Sequence, residues 1–582
     1  MPNRTLFVVT ALAGLLLSTP AAAAEPWVEE SNAHTEFVMQ AQARFTPEAF
    51  ASLGIEQFDG EVRDLGPDLY ERFQQDALRL IKNLEERKRT TEDPRVLQDL
   101  DILIRSLRDQ MHSQELQHNL LLPYVNLSQS LFFGFRALLD PRNNPARYPA
   151  ALERLKKYTG QADGRQPIAE LAMARSSERF AVPGLLGPYR GELEDDLDNV
   201  TRFQAGMEQV FAGSGLEGWQ EDLALLGQQL DQYAAWLKAE MLPRAREDHR
   251  LPEELYADNL KNFGVDMDPR QLIQAAQLGF ADLQQQMQRI ARQIAEKNGY
   301  ASSDYRAVMR ELNRQQVPED ELMDFYRARL EEIEKIIREN DIVSLPQRPA
   351  VIRRATEAES AAIPAPFMSP PQLIGNTGQP GEFVLVTSNP SDDSGEAMDD
   401  FGSPASTWAL TAHEARPGHE MQFAAMLETG VSNARAIYAF NSANVEGWGL
   451  YAEAIMLEYF SPEGQLFGLR ARLMRAARAF LDPMLNLGLI KPEQALEFLT
   501  GEVMLSHPMA KQEVDRYTFL APGQATAYYY GYMNLMALRT EVELRLRDRF
   551  DQRKYHDFLL AQGLLPPDIL RRAVLEEFVS RQ

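Results

Sequence analysis

No cysteine occurs anywhere in the 582 residues. That absence excludes a disulfide framework, a thiolate metal site and a lipid-modified N-terminal cysteine, so any metal has to be held by His, Asp or Glu. Histidine is scarce as well, with eight residues at positions 34, 112, 118, 249, 413, 419, 507 and 556. Positive charge is in deficit: 60 Lys and Arg face 85 Asp and Glu, for a net charge of -25. A field of that sign repels nucleic-acid phosphates and anionic lipid, so neither is an expected partner. Beyond the first two dozen residues no apolar run approaches the length of a membrane span, and the stretch from Pro26 to about Leu251 shows no convincing repeat.

What is there is ordinary for a globular chain. With 44% hydrophobic and 25% charged residues, a sizeable core is expected and wholesale disorder is not. The opening stretch "MPNRTLFVVTALAGLLLSTPAAAAEPW" combines Arg4, an apolar run from Leu6 to Leu17, Pro20 and the small residues Ala21 to Ala24. It reads as a secretory signal peptide over residues 1–24, cut after Ala23 or Ala24. The expectation is a soluble, exported, periplasmic protein with no integral membrane segment after cleavage.

From Pro26 to about Leu251 the chain reads as successive amphipathic helices, for example between Leu65 and Arg108 and between Leu216 and Arg244. Clearer stripes follow. Phe280, Leu283, Met287, Ile290 and Ile294 recur at helical steps between Pro269 and Lys297, and Leu322, Tyr326, Leu330, Ile333 and Ile337 do so between Pro318 and Asn340. Between Val343 and Ser406 proline and glycine rise and the helical period fades. A small sheet is expected at about 365–390, with Phe383 to Val386 its best strand, either as an ordinary core strand or as an edge to which an extended peptide adds. Helical patterns resume at Ser406. The predicted fold is therefore mainly α: a large helical body with a small sheet beside an active-site helix pair and a central cleft. A helical region spans 25–265 and a catalytic region 266–582, the two together forming one continuous domain or two.

The chemistry concentrates in "HEARPGHE", His413 to Glu420. A zinc hydrolase needs three protein ligands, an open position, and a carboxylate that takes a proton from water without ligating the metal. Glu414, directly after His413, suits that last role. In the familiar H-E-x-x-H arrangement the histidines are four apart on one helical face; here they are six apart, a rotation of about 240° on a regular helix. Pro417 removes a backbone donor and its ring crowds the carbonyl of His413, while Gly418 supplies conformational freedom. A helix opened around Ala415 to Gly418, with two surplus residues bulging out, would return His419 to the side of His413. The rival geometry uses Glu420, seven residues on, as ligand. The third ligand is expected from "NSANVEGWGLYAEAIMLEYF", where Glu446 heads a helix and Glu453 shares its face; Glu453 or Asn444 would orient a ligand imidazole. "DRYTFLAPGQATAYYYG" offers donors for a developing oxyanion, with Tyr528 and Tyr517 preferred among them and Arg516 able to serve there, to pair with a neighbouring carboxylate or to meet a peptide's terminal carboxylate.

"HEARPGHE", "VEGWGLYAE" at Val445–Glu453 and "EVDRYTFLAPGQATAYYYG" at Glu513–Gly531 resemble the bacterial domain-of-unknown-function 885 proteins, which look like members of the zincin metallopeptidase class. The likeness extends over most of the mature chain through "YADNLKNFGVDMDPRQLIQ" and "GQPGEFVLVTSNP". It implies one zinc ion held by His413, His419 and Glu446 with Glu414 as base. The family has two histidines in succession where this chain has His419 followed by Glu420. The expected function is a zinc-dependent peptidase hydrolysing short peptides, of oligopeptidase or carboxypeptidase type. The alternatives are a non-catalytic, metal-containing peptide-binding protein and an amidase acting on other small amides.

Overall fold

The computed structural model describes residues 25–392 and 394–581. The signal-peptide segment lies outside the described residues. Helices dominate, and one small sheet interrupts them. No helix among the described residues is long and apolar enough to cross a membrane.

The N-terminal helices wrap their own apolar core, in which Leu131, Phe135, Leu155, Phe203 and Phe211 are buried. The amphipathic stretch expected between Leu65 and Arg108 is two helices, Leu69–Lys88 and Pro94–Leu120. Asp93 and Pro94 restart the chain there, the Asp93 side chain accepting from Arg95 N as an N-cap.

The C-terminal half is built on helix α1 (Pro269–Asn298). Asp268 caps it by accepting from the amides of Arg270 and Gln271, and Gly299 ends it in the left-handed region that glycine adopts without penalty. Phe280, Leu283, Met287 and Ile294 of its stripe are buried. Helix α2 (Leu322–Glu339) buries all five stripe residues, Leu322, Tyr326, Leu330, Ile333 and Ile337.

Three short strands follow: β1 (Val351–Arg354), β2 (Phe367–Ser369) and β3 (Glu382–Leu385), in the order β1-β3-β2. β3 pairs parallel with β1 and antiparallel with β2, and all four of its residues are buried. The expected strand is thus the central one, and the reading of it as a peptide-accepting edge is corrected: both its edges are already hydrogen-bonded. β1, at Val351–Arg354, also starts earlier than the range of about 365–390 expected for the sheet.

Beyond the sheet come α3 (Ser406–Glu414), α4 (His419–Thr429), α5 (Ser442–Met456), α6 (Pro462–Asn486), α7 (His507–Asp515) and α8 (Thr526–Leu546). α6 runs through the middle of this half, buried on nearly every side. It packs along α1 on one side and meets α3 and α8 on others. α5 and α8 approach so closely that a Cβ on Gly447 would stand 2.7 Å from Gly531 Cα, and one on Gly531 1.9 Å from Ala443 O. Glycine inside a helix costs about 1 kcal/mol against alanine; here it lets two backbones touch.

Candidate metal centre

α3 stops at Glu414 and α4 starts at His419. A bulge within one helix was expected; the chain instead makes two helices joined by a four-residue turn whose Arg416–Pro417 peptide is cis. The turn leaves no room for a side chain at its last position: a Cβ on Gly418 would lie 1.9 Å from His413 O and 2.4 Å from Ala412 O. Trp448 of α5 clamps the turn from below, its indole Nε1 donating to Pro417 O at 2.9 Å.

This break brings the two imidazoles together, with ring centroids 4.6 Å apart at an interplanar angle of 80°. Gly449 of α5 makes space for both, since a Cβ there would meet His413 Cε1 at 2.7 Å and His419 Cε1 at 2.9 Å. Both rings aim Nε2 at one atom, Glu446 Oε2, at 3.6 Å from His413 and 3.2 Å from His419. The donor atoms of His413, His419 and Glu446 all lie within 4.8 Å of one another. Donors about 2.0–2.1 Å from a tetrahedral zinc would stand about 3.3 Å apart, so the two measured contacts match that donor set. Two imidazoles and a carboxylate are chemically a zinc ligand set as well, although other divalent ions accept it.

The groups behind the triad orient it. Glu453, one per cent exposed, places Oε1 2.7 Å from His413 Nδ1, the carboxylate support that ligand histidines usually have. Asn444 does not share this role: its side chain joins Gln422 and the carbonyl of Leu565. Glu420 is no ligand either. It is fully buried on the other side of α4, where Arg416 Nε donates to its Oε2 at 2.8 Å while also reaching Glu334.

The electrostatics are those of a tightly coupled buried cluster. Burial opposes charge on His413, but the Glu446 and Glu453 carboxylates overcome it and raise the imidazole to about 9 when no ion is bound. Glu446 is held well below the usual carboxylate range by its two histidines in spite of its burial. Glu414 moves the opposite way: desolvation pushes its carboxyl up, partly countered by His413 and His419.

A cavity of about 70 Å³, with room for several waters, borders the cluster, and His413, Glu414, Arg516 and Tyr528 line it. The Tyr528 ring stacks on His413 at 6.1 Å, and its hydroxyl accepts from Arg516 Nη2 at 2.8 Å. Tyr517 is elsewhere. It is fully buried and does not line the cavity, and its hydroxyl donates to Glu513 Oε2 at 2.6 Å, so its expected place beside a developing oxyanion is corrected. His507 also stays apart, with Nδ1 2.9 Å from Asp392 Oδ1.

Residues 47–574 match the family described as bacterial protein of unknown function, DUF885. The chain belongs to this family. None of the curated proteins matches it. Among solved structures, a candidate lipoprotein from Colwellia psychrerythraea is similar at 19% identity with a TM-score of 0.79, over 96% of this chain and 100% of that one. A candidate lipoprotein of unknown function from Shewanella oneidensis is similar at 20% identity and a TM-score of 0.70, over 95% and 100%. At such identities the shared feature is the fold.

One part of the site in this DUF885 chain was missed by sequence reasoning. Arg470, Arg475 and Arg478 of α6 line the same cavity as Arg516. Their signal in "RARLMRAARAF" is arginine recurring on a stretch otherwise as apolar as a core helix, which is unusual for a helix buried all round.

Proposed function

We propose that the protein is an exported zinc-dependent peptidase of the zincin-like class that hydrolyses short peptides, as an oligopeptidase or carboxypeptidase. The observation that carries this reading is the convergence of His413, His419 and Glu446 across a broken helix, with Glu414 beside them on a cavity wall. Export rests on the signal-peptide pattern of residues 1–24.

Zinc held by His413, His419 and Glu446 would supply Lewis-acid chemistry, polarising a peptide carbonyl and acidifying water. Glu414 takes the proton of the attacking water and returns it to the leaving amine; its upward-shifted carboxyl suits both halves of that transfer. Glu453 holds His413 by Nδ1, so Nε2 faces Glu446 with its lone pair. Arg516 donates to the Tyr528 oxygen, which leaves the phenolic O–H free to donate in turn. Burial keeps that hydroxyl protonated, so Tyr528 can meet an oxyanion developing on the cavity side of His413.

The test is cleavage of a mixed short-peptide library with and without chelator, alongside metal analysis. Glu414→Gln is expected to lower turnover about 10²–10⁴-fold while binding one metal ion as tightly as the parent. Metal bound at unit stoichiometry with no cleavage of any peptide would favour a binding protein. Cleavage confined to non-peptide amides would favour an amidase.

A further inference from the structure

The protein carries 25 more acidic than basic side chains, yet the cavity beside the metal centre is lined by four arginines, Arg470, Arg475, Arg478 and Arg516. Each already hydrogen-bonds within the protein through part of its guanidinium, Arg475 by donating from Nη1 to Ala471 O. Arg470 donates to Met504 O and lies 3.4 Å from Asp400, and Arg516 serves Tyr528 and Gln524. Arg478 grips Glu513 through Nε and Nη2 at 2.6 and 2.5 Å.

Two donors remain. Arg475 Nε and Arg478 Nη1 are buried and unpartnered, on residues only 8% and 3% exposed. They stand three positions apart on α6, hence on one face of the helix, and both residues line the cavity. A buried guanidinium with an unmet donor is unfavourable, and a planar oxyanion is the group that two such donors satisfy best. The pair also sits close to the triad. Arg475 Nη2 is 3.5 Å from Glu453 Oε1, itself 2.7 Å from His413 Nδ1. Arg478 Cζ lies 4.4 Å from the centroid of the Tyr528 ring that stacks on His413. His413 and Glu414 line the same cavity as the pair, so a carboxylate held there lies in the space that borders the triad.

We propose that Arg475 and Arg478 form a carboxylate subsite that receives the C-terminal carboxylate of the peptide, so that the bond hydrolysed is the last one. The inference rests on the peptidase reading above and narrows it to a carboxypeptidase. In the step, the oxygen of water bonds to the penultimate residue's carbonyl carbon, the C–N bond to the last residue breaks, and a proton from water goes to its nitrogen. A shortened peptide and one free amino acid leave. A carboxylate on an acidic side chain has the same chemistry, and the test separates the two sources.

The Glu414→Gln protein, loaded with zinc and also metal-free, is titrated calorimetrically with N-acetyl-trialanine, its C-terminal amide, and the amide of N-acetyl-Ala-Glu-Ala. The free acid is expected to bind at least about tenfold tighter than either amide, and Arg478→Lys, which keeps the charge beside Glu513, is expected to shrink that ratio below about threefold. The parent enzyme should release single alanine from the free acid. Equal binding of acid and amide, a ratio unchanged by Arg478→Lys, the glutamyl amide binding as tightly as the free acid, or cleavage at internal bonds only would each overturn the subsite. Should Arg478→Lys fail to fold by circular dichroism, the acid-to-amide ratio of the unsubstituted arginine pair decides alone. Failure of the metal to bind, or of any peptide to be cut, would instead overturn the peptidase reading, while the acid preference stays measurable on the metal-free protein.

Discussion

At the residue scale the proposed zinc site would set a cation against a proton for His413. Without an ion, Glu446 and Glu453 keep that imidazole charged to about pH 9, whereas an isolated histidine loses its proton near 6.5. The folded value is raised, so the proton stabilises the ion-free protein fully below about 6.5, and this contribution is lost as pH climbs through 9. A metal needs the neutral ring, and its binding must expel the proton. Zinc affinity is therefore expected to rise with pH, by up to about tenfold per unit between roughly 6.5 and 9, and to level off above. A competition titration against a chelator of known affinity at several pH values reads this out. Affinity that is flat from pH 6.5 to 9 would mean that His413 is neutral in the ion-free protein and that the carboxylates do not act on it as placed.

At the scale of elements, the site depends on helices that stop and cross where glycine allows. Gly418→Ala would press a methyl group into His413 O, 1.9 Å away, so the turn between α3 and α4 has to open and the imidazoles part. Gly430, which ends α4 with φ +75°, has no atom within 4 Å of where its Cβ would be. Gly430→Ala should therefore cost only about 1 kcal/mol of backbone strain and keep zinc binding, while Gly418→Ala should lose zinc binding at least about 100-fold. Equal affinities in the two variants, measured by the same competition, would remove the steric role given to Gly418. Much of this was legible beforehand, because Pro417 and Gly418 inside a helical pattern announce a break by covalent geometry alone, and Glu446 lies in a stretch that reads as a helix. The form of the break was not: a bulge and a pair of helices obey the same local rules, and the Trp448 indole that holds the turn comes from a segment thirty residues on. β3 likewise declared itself a strand through Phe383 to Leu385, but its central position depends on two short strands, β1 and β2, too brief to show a period. The arginines of α6 were hidden for a related reason. A basic residue every few positions ordinarily marks a solvated face, and only α3 and α8 packed against that helix, with Glu513 of α7 paired to Arg478, turn the face inward.

At the scale of the whole molecule, the candidate ligands come from three helices, α3, α4 and α5, and the groups behind them from α5, α6 and α8. The N-terminal helices are tied into the same body. Asp99 of Pro94–Leu120 is one per cent exposed and accepts from Ser432 Oγ at 2.6 Å and Arg435 Nε at 2.8 Å, on the segment between α4 and α5. An ion joining α3, α4 and α5 should thus stabilise more than its own neighbourhood, because opening any one of those helices breaks the site. The unfolded chain is a poor competitor for zinc, having no thiolate and eight histidines spread over 582 residues. Binding to the folded form alone adds about 2.7 kcal/mol when free zinc is a hundred times its dissociation constant. Thermal unfolding followed by circular dichroism should accordingly move to higher temperature on adding zinc and return on adding chelator. His419→Ala should abolish the shift while retaining a helical spectrum in the ion-free state. A shift of the same size in His419→Ala would mean that the stabilising ion binds elsewhere. No shift in the parent protein would mean that three converging donors and a buried carboxylate behind them do not suffice to hold one.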